Sequence, residues 1–313
     1  MRQYPKAPKN QQIKTKKSIR TMFVLLFLTC AVAWFIGSFS ASTNTEPDNV
    51  PASEYETNQP ASHTAREINA PPPYQGEAQT FTFSQLSTIS NDYLLLVNPE
   101  NAVPDYINGD LVRVANLVTA LNTDIMLNNS ALAMLRIMFD SAANSGFTQF
   151  RVTQGFRTHE YQQNLYNQMA GTGLAATPGH SEHQVGLAAD ISYHGVNIGN
   201  SAQGSWLMNY SYRYGFILRY PQHKTHITGV PFEPWHYRFV GQPHAYFMTR
   251  NDMVMEEYID FLRTNREIDI TMEGSTFTLF YLASEDDILE IPDSQQFVAS
   301  RDNTGGIIVT VAN

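Results

Sequence analysis

The sequence is poor in the residues that crosslink a fold or bind nucleic acid. Cys30 is the single cysteine in 313 residues, so the chain cannot form an internal disulfide. Lys and Arg number 20 against 29 Asp and Glu, which gives a net charge of −9. Because nucleic-acid binding depends on basic side chains that neutralise phosphates, this balance argues against a nucleic-acid partner. The length allows one sizeable domain with appendages.

The few basic residues are concentrated at the N-terminus. Residues 1–20 carry a charge of +7 and no acidic side chain, so the rest of the chain carries −16. The run MFVLLFLTCAVAWFIGSF follows at 22–39 without a charged residue, and its length of 18 residues is enough to cross a bilayer. We therefore predict a cytoplasmic tail over 1–20 and a transmembrane anchor over 21–40, with the remainder outside the cytoplasm. A cleaved signal peptide is the alternative, because SFSA at 38–41 resembles a cleavage site and the protein would then be secreted.

The region after the apolar run has the composition of a linker. Residues 41–85 are rich in Ser, Thr, Asn and Glu and contain three consecutive prolines at 71–73. Such a composition buries too little apolar surface to offset the entropy cost of ordering. We predict a disordered linker over 41–85 that lets the following domain move away from the membrane.

The pattern of residues 86–250 predicts an α+β domain, because helices and short strands alternate without a βαβ rhythm. We expect a small antiparallel sheet with flanking helices around a metal site. Tyr161, Leu165 and Met169 are predicted to face inward from one of these helices. The predicted helices are 130–145, 158–169 and 205–214, and the predicted strands are 149–153, 216–219 and 235–240. Residues 251–313 predict a short amphipathic helix and then strands at 276–282 and 307–311, a β-rich appendage. A structural role is favoured for it, and wall binding is the alternative.

Two short stretches carry the chemistry. SEHQVGLAAD at 181–190 and EPWH at 233–236 together offer two imidazoles, one carboxylate ligand and one spare carboxylate. A catalytic zinc takes three ligands of this kind and leaves a fourth position open to water, whose pKa it lowers to about 7. We assign His183, Asp190 and His236 as ligands of Zn²⁺ and Glu233 as the general base. Each half of this pattern is common by chance, so the prediction depends on both occurring together.

Arg157 is a candidate for substrate binding. Its planar guanidinium group is suited to a substrate carboxylate or to a developing oxyanion. It lies within about eighty residues of the last predicted metal ligand, in the same region of the chain. An ordinary surface ion pair is the alternative interpretation of this residue.

Three stretches closely resemble the VanY-type D-alanyl-D-alanine carboxypeptidases, part of a larger group of lysostaphin-type and hedgehog-type zinc folds. They are QGFR at 154–157 with YQQNLY at 161–166, TPGH at 177–180 running into SEHQVGLAAD, and EPWHY at 233–237. The resemblance covers about 90–260. It implies the same three zinc ligands and the same base, and it implies that Arg157, Gln162 and Ser181 contact the terminal carboxylate or scissile carbonyl. Family members often have Ser-Gly-Tyr-Arg at 154–157, a departure that bears on substrate preference rather than on catalysis.

The resemblance implies a zinc carboxypeptidase that removes the terminal D-alanine from peptidoglycan stem peptides. An L,D-carboxypeptidase or a peptidoglycan endopeptidase would use the same ligands and is an alternative. A zinc-dependent wall-binding module without turnover is another, although a base such as Glu233 has no use in a binding site. A serine hydrolase built on Ser181, His236 and Asp190 is disfavoured because Ser181 lacks the G-x-S-x-G pattern around it.

Overall fold

The computed structural model of the chain describes residues 63–65, 77–105, 109–172, 175–194 and 198–313. The predicted cytoplasmic tail and transmembrane anchor, 1–20 and 21–40, lie outside these residues. Among the helices that are described, none has the length and apolarity needed to cross a membrane.

Thirteen strands and seven α-helices make up the described part of the chain. The strands are β1 (His63–Ala65), β2 (Ala78–Thr82), β3 (Leu111–Arg113), β4 (Met126–Asn128), β5 (Phe150–Gln154), β6 (Ala188–Tyr193), β7 (Phe216–Leu218), β8 (His236–Phe239), β9 (Glu267–Met272), β10 (Ser275–Leu282), β11 (Ile288–Pro292), β12 (Gln296–Arg301) and β13 (Ile307–Ala312). The helices are α1 (Phe83–Thr88), α2 (Asn129–Asn144), α3 (His159–Gln168), α4 (Ala202–Tyr210), α5 (Thr225–Thr228), α6 (His244–Arg250) and α7 (Met255–Asn265). Short 3-10 helices occupy Val114–Asn116, Glu182–Val185, Ser211–Tyr214 and Gln222–Lys224.

Strands β5 to β8 form a four-stranded sheet in the order β5-β6-β8-β7, called the catalytic sheet below. Every neighbouring pair in it is antiparallel. Helix α2 belongs to the same core, and the Asn128 side chain caps it by accepting hydrogen bonds from the amides of Ser130 and Ala131. Leu132 and Leu135 of α2 are fully buried in the core with Val152 of β5. The predicted α+β class with a small antiparallel sheet is confirmed.

Helix α3 corrects one prediction about the core. Tyr161 was predicted to face inward, but 49% of its surface is exposed, and Leu165 and Met169 are only partly buried. Gln162 is instead the fully buried side chain of this helix. Its amide donates a hydrogen bond to the carbonyl of Ala176 at 2.8 Å. Polar contacts made by Gln162, which an apolar pattern does not reveal, therefore set the orientation of α3.

The predicted disordered linker over 41–85 extends too far toward the C-terminus. Strand β1 pairs with β9, and β2 pairs with β11. Leu86 of α1 is completely buried in a cluster with Ile307 and Val309 of β13. The apolar residues of FTFSQL at 81–86 gain burial from strands about two hundred residues away, a pairing that the local composition does not show.

Strands β9, β10, β12 and β13 of the C-terminal region join β1 in a second sheet, in the order β1-β9-β10-β13-β12 and wholly antiparallel. Helix α7 precedes β9 in the chain and buries Met255, Tyr258, Ile259 and Leu262. These residues recur at helical spacing, which is the reason the amphipathic helix was predictable from the sequence. The predicted β-rich appendage is therefore present.

Candidate metal centre

A one-turn 3-10 helix, Glu182–Val185, places the first predicted metal ligand, His183. Gly186 ends this helix with φ at 74°, a left-handed conformation that favours glycine, and the chain then enters β6. The Nδ1 atom of His183 lies 2.8 Å from the carbonyl oxygen of Gly155. Because a carbonyl only accepts hydrogen bonds, Nδ1 carries the proton and Nε2 keeps its lone pair for a metal.

The other two predicted ligands are cross-strand partners. Asp190 of β6 lies directly opposite His236 of β8 in the antiparallel register. Opposed residues in such a pair have side chains on the same face of the sheet, so the two ligands are adjacent. His183, Asp190 and His236 are buried, and their ligand atoms all lie within 4.8 Å of one another.

The three side chains fit a metal ion. Oδ1 of Asp190 lies 3.3 Å from Nε2 of His183 and 3.2 Å from Nδ1 of His236. Despite these short distances, buried Oδ1 has no hydrogen-bond partner of acceptable geometry among the described residues. Buried polar atoms are normally satisfied, so an oxygen and two imidazole nitrogens converging in this way indicate a cation site. Two nitrogens and one carboxylate oxygen are the donor set of a catalytic zinc.

Glu233, the predicted base, lies beside this cluster just before β8. Its Oε2 atom is 3.6 Å from Nδ1 of His236, and 22% of its side chain is exposed. Burial raises the pKa of Glu233, and the nearby His236 opposes that rise. A carboxylate with a raised pKa next to a metal site is suited to accepting a proton.

The predicted substrate-binding residues occupy the same neighbourhood. Nη2 of Arg157 lies 3.5 Å from Oδ2 of Asp190, and its Nη1 donates to Oε1 of Gln162 at 3.4 Å. Nε of Arg157 is buried without a hydrogen-bond partner in the described part of the chain. Ser181 is buried at the start of the 3-10 helix, two residues before the ligand His183 in sequence. Gln162 and Asp190 thus hold the guanidinium group of Arg157 beside the metal ligands.

Neighbouring charges control ionisation at the cluster. Burial disfavours the charged form of Asp190, but the two imidazoles outweigh it and hold the pKa of Asp190 well below its usual range. Burial likewise lowers the pKa of His236, but its contacts with Asp190 and Glu182 outweigh burial and raise it to about 9. Burial lowers the pKa of His183. His236 thus lies between two carboxylates, with Asp190 at its Nδ1 atom and Glu182 at its Nε2 atom.

Four residues of the centre were not predicted from the sequence. Glu182, Arg219 and Arg238 are almost completely buried and form one ion-pair network, which Glu256 of α7 extends. The available signal was an arginine inside each of two otherwise apolar or aromatic stretches, FILRY at 216–220 and HYRFV at 236–240. A charged residue in such a strand indicates a buried ion pair, because an unpaired buried charge is too costly.

Comparisons with known proteins agree with this geometry. A sequence profile for VanY, described as D-alanyl-D-alanine carboxypeptidase, matches residues 124–242. A D-alanyl-D-alanine carboxypeptidase of Enterococcus faecium is 31% identical over 226 residues, which cover 70% of this chain and 74% of the relative. The chain belongs to the VanY family. The resemblance inferred from the three motifs is therefore confirmed.

Solved structures show the fold of this VanY-family chain in related enzymes. The vancomycin-resistance D,D-dipeptidase VanXYg, in complex with a D-Ala-D-Ala phosphinate analogue, aligns with 26% identity and a TM-score of 0.67. The alignment covers 76% of this chain and 100% of that one. The LdcB LD-carboxypeptidase aligns with 34% identity and a TM-score of 0.50, covering 54% of this chain and 86% of that one.

Family membership identifies the chain as a zinc metallocarboxypeptidase, as the sequence predicted. The predicted zinc cofactor is also confirmed, because the His-Asp-His cluster supplies the ligands that this chemistry needs. The roles given to individual residues, including Glu233, Arg157, Gln162 and Ser181, stay predictions that the structure makes geometrically possible.

Proposed function

We propose that this VanY-family enzyme removes the C-terminal D-alanine from peptidoglycan stem peptides that end in D-Ala-D-Ala. The observation that carries the proposal is the convergence of His183, Asp190 and His236, with Glu233 beside His236 and Arg157 beside Asp190. A carboxypeptidase needs a cation to hold the substrate's terminal carboxylate and a base near the scissile bond, and this site offers both.

The chemistry divides between the ion and the side chains. His183, Asp190 and His236 would hold a zinc ion, which would supply a Lewis acid at the scissile carbonyl. Arg157 binds the terminal carboxylate and fixes which peptide bond is cut, and Gln162 keeps the guanidinium group in place. Glu233 accepts a proton from the attacking water and delivers it to the departing amine of D-alanine. The products are free D-alanine and a peptide shortened by one residue.

Mass spectrometry of defined stem peptides tests this proposal. The full chain, incubated with tri-, tetra- and pentapeptide stems and zinc, is expected to shorten the pentapeptide by one alanine and to leave the tripeptide intact. Glu233→Gln is the matched control, because the amide keeps the shape of the side chain but cannot take the proton. Shortening of the tetrapeptide alone would instead support the L,D-carboxypeptidase, which the similarity to LdcB favours as second candidate. Zinc binding with no cleavage of any stem would support a wall-binding module.

The N-terminal apolar run supports a location for the enzyme. Residues 22–39 carry no charge and follow a basic segment, so we place the catalytic part outside the cytoplasm on a single membrane anchor. A substrate in the wall fits this placement. Alkaline carbonate washing of membranes, with protease treatment of intact cells, tests it: the protein is expected to stay with the membrane and to be digested from outside. A mature N-terminus near residue 41 would show a cleaved signal peptide and a secreted enzyme instead.

A further inference from the structure

Glu182 contacts the metal ligand His236 at the ring nitrogen that faces away from Asp190. It is 1% exposed, and its Oε2 atom lies 3.2 Å from Nε2 of His236. Because the carboxylate accepts the Nε2 proton, Nδ1 of the same ring is left free to face Asp190 and the metal site. The tautomer and the ring orientation of His236 therefore depend on where Glu182 lies.

Two arginines fix Glu182 in turn. Its Oε1 atom accepts hydrogen bonds from Nε of Arg219 at 2.7 Å and from Nη1 of Arg238 at 2.8 Å. Arg238 is additionally tied to the backbone, since it donates to the carbonyls of Tyr93 and Leu95 at 3.0 Å each. Among the described contacts, the side chain of Arg219 donates no hydrogen bond to the backbone. Its Nε atom is used by Glu182, so its Nη1 and Nη2 atoms remain for another partner.

Those donors of Arg219 meet a residue of the C-terminal region. Nη1 and Nη2 donate to the two carboxylate oxygens of Glu256 at 2.9 and 2.7 Å, a bidentate pair. Glu256 belongs to the first turn of α7, beyond the residues that the VanY profile matches. A side chain of the β-rich C-terminal region thus reaches the layer behind the metal ligands.

Glu256 also contacts Asn98, which lies in the segment before β3. Its Oε1 atom accepts a hydrogen bond from Nδ2 of Asn98 at 3.1 Å. The carbonyl oxygen of Asn98 lies 2.9 Å from Nδ1 of His180, which directly precedes the SEH segment. Glu256 is therefore linked through Asn98 to His180, just before the motif, and through Arg219 to Glu182 within it.

We propose that Glu256 is a positioning residue for the metal centre, acting through Arg219 and Glu182 on His236. The inference rests on the metal site of the proposed function. Two guanidinium groups and two carboxylates balance in this buried network. Removing the charge of Glu256 leaves one excess positive charge, which competes with His236 for Glu182 and opposes a divalent cation nearby.

Metal affinity tests this role directly. In the full chain, Glu256→Gln keeps the shape of the side chain and removes its charge, and we expect zinc affinity, measured by chelator competition, to fall about tenfold. Cobalt substituted for zinc is expected to show altered visible absorption bands, because the ligand geometry changes. Glu257→Gln is the matched control: this neighbour in α7 pairs with Lys224 at 3.1 Å, away from Arg219, and is expected to bind zinc as the wild type does.

Unchanged metal binding in a Glu256 variant would overturn this role. A folded Glu256→Gln protein with wild-type zinc affinity and an unchanged cobalt spectrum would overturn the proposal, even if its thermal stability fell. If Glu256→Gln does not fold, Glu256→Asp decides, because it keeps the charge on a shorter side chain. Weaker zinc binding than in the wild type is expected there, and equal binding would overturn the proposal. These readouts need no substrate, so they are independent of whether stem peptides are cleaved.

Discussion

Two glutamates contact the same imidazole, and their surroundings give them different roles. Burial alone would raise the pKa of Glu182, but Arg238 and Arg219 outweigh it and keep that pKa well below its usual range. Burial raises the pKa of Glu233, and His236 and Arg157 oppose that rise without cancelling it. Glu182 therefore stays ionised as an anchor for His236, whereas Glu233 is able to take up a proton. Divergent environments for neighbouring carboxylates are a general sign of an acid–base site.

Replacing the predicted base, Glu233, tests its role in proton transfer. Glu233→Gln should lower kcat about a thousandfold, because proton transfer is lost while the three metal ligands are kept. The measurement is the rate of D-alanine release from a D-Ala-D-Ala peptide, with zinc content as the control. A variant with the wild-type rate and full zinc would remove Glu233 from the base role.

Arg157 gives a second test at this scale, based on the substrate's charge. The wild type should prefer a peptide with a free C-terminal carboxylate over the same peptide with a C-terminal amide. Arg157→Ala should reduce kcat/KM for the carboxylate about tenfold or more and leave the amide little changed, since the lost contact is a charge-assisted hydrogen bond. Equal losses on both peptides would mean that Arg157 acts on the fold rather than on the carboxylate.

At the scale of elements, the turn between the 3-10 helix and β6 determines where His183 lies. Gly186 has φ at 74°, and a Cβ atom there would lie 2.5 Å from Cδ2 of Leu111. Gly171 has a similar φ of 80° but no atom within 4 Å of its would-be Cβ. A substitution at Gly171 would therefore cause backbone strain alone, whereas one at Gly186 would cause both backbone strain and steric overlap with Leu111.

We expect Gly186→Ala to lower the free energy of unfolding by about 2 kcal/mol, the sum of backbone strain and overlap. Gly171→Ala should cost only about 1 kcal/mol, because strain acts alone there. Urea unfolding of both variants measures the difference. Equal losses would show that Leu111 moves aside without cost.

The same elements show what sequence reasoning can reach. Local signals predicted α2 and three of the four strands of the catalytic sheet, β5, β7 and β8, because cap, apolar spacing and turn lie close together in the chain. Strand β6 was not predicted. The three metal ligands followed from donor chemistry. The inward position of Gln162 and the pairing of β2 with β11 did not, since each depends on a partner distant in sequence or on polar contacts. Arg219 and Glu256, 37 residues apart, were missed for the same reason.

At the scale of the whole molecule, His244 connects the α6 helix to the C-terminal region. Its Nδ1 atom lies 2.7 Å from the hydroxyl of Tyr258 in α7, and its Nε2 atom lies 3.0 Å from Oγ1 of Thr310 in β13. Burial lowers the pKa of His244 to about 3. The imidazole is therefore neutral in the folded protein across the physiological range.

This neutral histidine makes stability depend on pH. Below its ordinary pKa of 6.5 the unfolded chain binds the proton, whereas the folded chain does not until about pH 3. The stabilisation is complete above pH 6.5 and falls by about 1.4 kcal/mol per unit as the pH drops toward 3. The difference in free energy of unfolding between wild type and His244→Gln should follow this slope. Parallel pH profiles for wild type and His244→Gln would contradict the assignment.

The zinc chemistry of this enzyme requires that His183, Asp190 and His236 together hold one zinc ion. Its most direct test is the metal content of the purified full chain and of Asp190→Asn, measured by inductively coupled plasma mass spectrometry after dialysis against a weak chelator. We expect one zinc ion per wild-type chain and almost none in the variant, whose amide keeps the shape of the side chain but not its charge. Full zinc occupancy in Asp190→Asn, or a wild-type protein that cleaves peptides without metal, would contradict the account.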